Sequence, residues 1–167
     1  MEAIAPEDQD IIFVPYLYAS ATHPKAHSLF FGISGYHRRE HMLRAVYEGV
    51  AFSTVFHVKR LTEGKDIDYK LVRFSGGAAN ARVWTQMFCD ALNMPVETLV
   101  SNELSAMGAA MSAGIACGAF ADEKEAVEKM VRIKDRYEPD PARAKVYSEK
   151  YARYKSVLDL MDDYYAS

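Results

Sequence analysis

At 167 residues the chain suits one domain, long enough to bury roughly 70% of the surface its unfolded form exposes. Half of the residues are apolar and 26% are charged, the balance of an ordinary soluble globular protein. The formal net charge of −3 gives no electrostatic reason to propose nucleic acid or an acidic membrane as a partner.

No apolar run approaches the ~20 residues needed to span a bilayer. The start, Met1-Glu2-Ala3-Ile4-Ala5-Pro6-Glu7-Asp8, is acidic and lacks the basic and apolar regions of a signal peptide. Cys89 and Cys117 are the only cysteines, each in a predicted helix and neither in a CxxC spacing. They read as reduced packing residues, and the chain as cytoplasmic.

In chain order, residues 1–10 are a polar lead-in. Ile11-Ile12-Phe13-Val14 reads as a short buried strand ended by Pro15. From Tyr16 to Gly35 the chain reads as a loop, long enough that it is expected to line a site. Arg39 to about Leu61 reads as a helix, with Leu43, Val46, Tyr47, Val50, Thr54 and Val58 recurring on one face. Gly49 inside it costs up to ~1 kcal/mol relative to Ala, which implies close packing against another element. Glu63-Gly64-Lys65-Asp66 is a turn. A strand at Leu71-Val72-Arg73-Phe74, a helix from Arg82 to Leu92 and a strand from Val96 to Val100 follow.

Ser101 or Asn102 is placed to cap a helix from about Glu103 to Cys117, which Gly118 stops. That helix carries Ser105, Gly108, Ser112 and Ala116 along one smooth side. Asp122 is placed to cap a helix reaching about Ile133. Asp140 and Pro141 open the last helix, about Ala142 to Tyr164, where Tyr147, Tyr151 and Tyr154 form a packing stripe. Strands alternating with helices indicate an α/β domain, and three short strands leave the sheet incomplete.

The stretch that points to chemistry is Ser75-Gly76-Gly77-Ala78-Ala79-Asn80, between the second strand and the Arg82 helix. A turn almost without side chains lets a flat ligand lie against main chain, because glycine has no Cβ and adopts φ > 0. That geometry suits a nucleotide. The alternative is a tight strand-to-helix turn with Asn80 as a pure cap. There is no GxGxxG and no GxxxxGK[ST], so neither a dinucleotide fold nor a P-loop is supported. Histidines 23, 27, 37, 41 and 57 lack HxxxH or HExxH spacing on one helix, and no metal site is expected.

Two segments together resemble the C-terminal half of the FGGY family of carbohydrate kinases, whose fold is the actin-like, ribonuclease-H-like ATPase type. Ser28-Leu29-Phe30-Phe31-Gly32-Ile33, seven residues, then His41-Met42-Leu43-Arg44-Ala45-Val46-Tyr47-Glu48 is similar to the family's second signature. Gly76-Gly77-Ala78-Ala79-Asn80, with Trp84, Gln86, Asp90 and Pro95-Val96, resembles its adenosine-binding motif. Ala106-Met107-Gly108-Ala109-Ala110 resembles the small-residue helix placed beside the nucleotide. Within the family the surroundings of Phe13-Val14-Pro15-Tyr16-Leu17 look most like xylulose and L-xylulose kinases.

The resemblance implies an ATP-dependent kinase of a ketopentose or related polyol, with ATP and Mg²⁺ as cofactors. Gly76 and Gly77 would pass the adenine and ribose, and Ala78 and Ala79 would floor the pocket. Asn80 would hydrogen-bond the base or cap the Arg82 helix. Family members also carry an N-terminal domain with the phosphate-binding hairpin, most sugar contacts and the catalytic Asp. Neither that domain nor the opening strands of the second is found in residues 1–167, so no catalytic residue or Mg²⁺ ligand is assigned and the isolated chain is expected to be inactive.

Two departures stand out: Tyr18-Ala19-Ser20 replaces a common Gly-Glu-Arg, and Ala81 stands where many members carry a small polar residue. The competing expectation is a non-catalytic module without functional nucleotide binding. For it, an open sheet edge and apolar surface favour self-association, a homodimer being one outcome. Arg38, Arg39 and Arg44 read as a solvated helix start. Glu48 reads as structural, satisfying loop amides; Trp84 reads as core, and Asp90 as solvent-facing or capping the next turn.

Overall fold

The first two strands are too short to declare themselves by periodicity, yet they pair with each other. Ile12–Val14 (β1) and Leu29–Phe31 (β2) run antiparallel, in the register Ile12↔Phe31 and Val14↔Leu29. β2 lies inside the segment expected to be loop. Three residues against a single partner give no alternation to read from sequence. The computed structural model describes residues 4–20, 24–65 and 69–166, which divide into two compact units. Ala21, Thr22, His23 and Asp66 therefore lie outside the described residues.

The first unit holds β1, β2, the helix Arg39–Thr62 (α1) and the helix Pro141–Ala166 (α5), with β1 packed on both helices. Gly49 of α1 faces β1, where a Cβ would overlap the Phe13 carbonyl oxygen and sit 3.0 Å from the Phe13 ring. The close packing expected there is present. The buried face of α1 is not the expected stripe, however. Arg44, Ala45, Glu48, Gly49, Ala51, Phe52 and Val55 are buried, whereas Leu43 is 45% exposed. The helix turns small and ionic residues inward, so apolar spacing alone picks the wrong side.

Arg44 is accordingly a core residue and not part of a solvated start. Its Nε donates to Glu48 Oε1 at 2.8 Å and its Nη2 to Tyr147 Oη at 2.9 Å. Glu48 also pairs with Lys150 of α5 and accepts from Gln9 Nε2 at 3.1 Å. Its partners are side chains, where loop amides were expected. Burial holds the Lys150 ammonium below its usual range, against the pull of Glu48. Burial raises the Tyr147 phenol despite the Arg44 charge. Tyr147, Tyr151 and Tyr154 are all buried, with Phe52 against each ring. The tyrosine stripe packs as its spacing predicts.

Ahead of α1, Asp10 ties together the turn at residues 34–37. Ser34 N–H donates to His37 Nδ1 at 2.9 Å, which leaves Nε2 to carry the proton given to Asp10 Oδ1 at 2.7 Å. Tyr36 Oη donates to Asp10 Oδ2 at 3.0 Å. Desolvation pushes the Asp10 carboxyl up, but the bonds from His37 and Tyr36 outweigh it and hold the group below its ordinary value.

The second unit is a three-stranded sheet of order β3-β4-β5 with its own helices: β3 is Val72–Phe74, β4 Val96–Leu99 and β5 Ile133–Tyr137. β3 and β4 are parallel, in the register Val72↔Val96 and Phe74↔Thr98, joined by the helix Arg82–Leu92 (α2). Cys89, Val96 and Tyr137 form the core with Val72 and Phe74 against them. Phe88 lies 4.6 Å from Phe74 and 5.5 Å from the half-buried Trp84, ring to ring. The Cys89 thiol donates to the carbonyls of Met94 at 3.1 Å and Tyr137 at 3.4 Å. Cys117, by contrast, is exposed and not a packing residue.

β5 is antiparallel to β4 and falls where the helix before it was expected to continue. That helix, Glu123–Met130 (α4), stops three residues earlier, capped at its start by Asp122 Oδ1 accepting from Glu125 N at 2.8 Å as predicted. Lys134, Asp135 and Arg136 hide the strand from a hydropathy reading, and they suit an edge, where charge discourages further pairing.

The helix Leu104–Ala116 (α3) packs on α4 but buries none of its residues despite its apolar composition. Asp90, expected at the surface, is 1% exposed: its Oδ1 accepts from Asp140 N at 2.9 Å and its Oδ2 lies 3.8 Å from Arg143 Nη1. Asp140 in turn caps α5, accepting from the N–H groups of Ala142 at 2.9 Å and Arg143 at 3.1 Å.

Candidate functional site

Parallel strands joined by a helix leave their connecting loops at one end. Ligands in open α/β sheets bind in crevices beyond the carboxyl ends of strands. In the second unit that end carries residues 75–81 after β3 and residues 100–103 after β4. The helices α2 and α3 begin there.

After Phe74 the chain turns at Gly76, whose φ of +85° is a left-handed conformation that favours glycine. Residues Gly77–Asn80 then make one tight 3₁₀ turn. Ala79 N–H donates to Gly76 O at 3.1 Å and Ala81 N–H to Ala78 O at 3.1 Å. A Cβ placed on Gly76 or Gly77 would meet nothing within 4 Å, so the space beside both residues is open. Ala78 and Ala79 are half-buried beneath the turn, while Gly77 and Asn80 are exposed. The donor set fits an uncharged planar group: main chain and short side chains, with no ionisable residue among residues 75–81.

Asn80 does not cap α2. Its Oδ1 accepts from Asn102 Nδ2 at 3.3 Å, a bond between the two loops. Nor does Asn102 cap α3. Ser101 Oγ accepts from Glu103 N at 3.2 Å, a local turn ahead of the helix, and Glu103 opens α3 with its carbonyl accepting from Met107 N at 2.9 Å. Sequence reading placed Asn102 only as a candidate cap. The signal for another role was its place in the loop after the second parallel strand.

Further side chains fix the frame. Thr85 Oγ1 lies 3.5 Å from Ala79 O, and Gln86 Nε2 donates to Glu138 O at 2.9 Å. Arg73 and Arg136 flank Glu97, with Arg73 Nε 3.4 Å from Oε2 and Arg136 Nη1 3.3 Å from Oε1. Among the described residues no three His, Cys, Asp or Glu converge to hold a metal ion. Among them, too, no helix is long and apolar enough to cross a membrane.

The comparisons with known proteins agree with one another. The C-terminal domain of the FGGY family of carbohydrate kinases matches residues 2–117. The L-xylulose/3-keto-L-gulonate kinase of Escherichia coli (strain K12) is 32% identical over 157 residues, 94% of this chain and 31% of that protein. The xylulose kinase of Rhodospirillum rubrum superposes with a TM-score of 0.83 at 29% identity, over 99% of this chain and 33% of its own. The glycerol kinase of Plasmodium falciparum with ADP superposes with a TM-score of 0.72 at 25% identity, over 89% of this chain and 30% of its own. The chain spans about a third of the length of these relatives. A mixed α/β unit with an open glycine turn after a parallel strand, and matches of this extent, make the chain a member of the FGGY family of carbohydrate kinases, corresponding to its C-terminal, actin-like ATPase domain.

Proposed function

We propose that this chain is the nucleotide-holding portion of a cytoplasmic ATP-dependent sugar kinase that phosphorylates a ketopentose of the xylulose or L-xylulose type, or a related polyol. The observation that carries this reading is the open main chain at Gly76 and Gly77, held by the positive φ of Gly76 and by the 3₁₀ turn behind it. Adenine and ribose pass against these glycines, Ala78 and Ala79 floor the pocket, and Asn80 meets the base. The sugar class comes from the names of similar proteins, an L-xylulose/3-keto-L-gulonate kinase and a xylulose kinase, and nucleotide binding is supported by the relative solved with ADP.

In such a reaction a carboxylate takes the proton of the attacking sugar hydroxyl, and Mg²⁺ with positioned donors stabilises the transferring phosphoryl group. The turn at residues 76–80 carries no ionisable group, so its contribution is binding and orientation. The base, the Mg²⁺ ligands and most sugar contacts belong to the two thirds of the relatives that this chain does not match. Titration of the chain with ATP tests the site, and a coupled ADP-release assay with several pentuloses tests the division of labour. The expected result is micromolar binding without turnover. Turnover above blank would place the base within this chain.

A second reading is favoured by a separate observation. α3 is apolar yet buries none of its residues, and β3 has only β4 as a sheet neighbour. Such surface suits a self-associating, non-catalytic module blind to nucleotide. Sedimentation with and without ATP separates the two: a monomer that binds ATP supports the kinase portion, and a dimer indifferent to ATP supports the module.

A further inference from the structure

Asn80 and Asn102 come from different loops, one after each parallel strand, and their side chains are joined head to tail by the Asn102 Nδ2–H···Oδ1 Asn80 bond of 3.3 Å. A carboxamide offers one acceptor oxygen and two donor hydrogens. This bond engages the acceptor of Asn80 and a donor of Asn102. Asn80 alone therefore cannot grip a base with both an acceptor and a donor, because its oxygen already serves its neighbour. The groups left for a ligand are the Nδ2 donor of Asn80 and the Oδ1 acceptor of Asn102, side by side on two exposed residues.

A donor beside an acceptor is the complement of adenine's edge, where the 6-amino group donates and N7 accepts. Guanine offers two acceptors there, O6 and N7. Its O6 would face the Asn102 oxygen and repel it. We propose that Asn80 and Asn102 act as one adenine-reading element, in which Asn102 Oδ1 accepts from the 6-amino group and Asn80 Nδ2 donates to the adjacent ring nitrogen. The proposal rests on the reading of residues 76–80 as a nucleotide site and adds the residue that selects the base. Asn102 contacts the ligand and also fixes which way the Asn80 amide faces.

The test uses two ligands, ATP and purine riboside 5′-triphosphate, which lacks the 6-amino group, titrated calorimetrically into the 167-residue chain and its Asn80→Ala and Asn102→Ala variants. The unmodified chain is expected to bind ATP about fivefold more tightly than the analogue, the value of one neutral hydrogen bond. Asn102→Ala is expected to weaken ATP to the analogue's level while leaving the analogue unchanged, and Asn80→Ala to weaken both. An equal loss for both ligands in Asn102→Ala would mean that Asn102 only supports the loop, and would overturn the proposal. So would a loss confined to ATP in Asn80→Ala, since the roles would then be reversed. Failure of the unmodified chain to bind ATP at all would remove the nucleotide site itself, and with it this proposal. Binding with no discrimination by Asn102 removes only the adenine-reading pair.

Discussion

Glu48 Oε1 accepts a hydrogen bond from Arg44 Nε, one helical turn earlier on α1, at 2.8 Å, with the two side chains 1% and 6% exposed. Lys150 of α5 closes on the other carboxylate oxygen. One buried anion thus serves two cations from two helices, and removing it strands both in a poorly solvated interior. Breaking a buried pair by deleting one partner costs about 3–5 kcal/mol. Glu48→Ala is therefore expected to lower stability by that amount, read as the shift in urea midpoint at constant slope. A loss below about 1 kcal/mol would mean that water reaches the triad.

The glycines on the helices sort by what surrounds them. At Gly49 an added methyl overlaps the Phe13 carbonyl oxygen, so Gly49→Ala forces α1 and β1 apart at a cost of about 1–3 kcal/mol. At Gly108 on α3 nothing lies within 4 Å of an added Cβ. There the same change gains roughly 0.5–1 kcal/mol of helix stability. Paired denaturation curves check both, and the prediction is opposite signs.

Asp10 gives the fold an acid-sensitive link. Its folded-state carboxyl is held down by His37 and Tyr36 against desolvation, so the stability it contributes is fully present above the unfolded value near 3.8. That contribution is lost as pH falls through the lower folded value. The side chain is 46% exposed, which makes the effect small. Urea midpoints of the unmodified chain and Asp10→Asn should differ most near neutral pH and converge below pH ~3.8. Parallel curves down to that pH would show that the bonds to His37 and Tyr36 do not stabilise the charged form.

The parts of this fold legible in the sequence are those governed by local chemistry. Asp122 and Asp140 cap the helices that their positions predict, and the tyrosine spacing of α5 forecasts its buried stripe. The turn at residues 76–80 was legible because its lack of side chains is itself the signal. What failed depends on partners remote in sequence. The inward face of α1 is chosen by Lys150 and Tyr147, about a hundred residues away, and no local periodicity announces a buried ion triad. β2 and β5 exist because β1 and β4 pair with them. Asn102 was read as a cap because caps are local, whereas its partner Asn80 lies in another loop.

The central claim is that main chain at Gly77 lies open to a purine nucleotide, and Gly77→Val tests it most directly. The substitution adds a branched side chain where nothing stands within 4 Å, at a residue without a positive φ, so the unfolding midpoint should stay within about 0.5 kcal/mol of the unmodified chain. The measurement is calorimetric titration with ATP of both proteins. The account predicts micromolar binding by the unmodified chain and a loss of at least tenfold in the variant. Equal affinity in the two proteins would place the nucleotide elsewhere and contradict it.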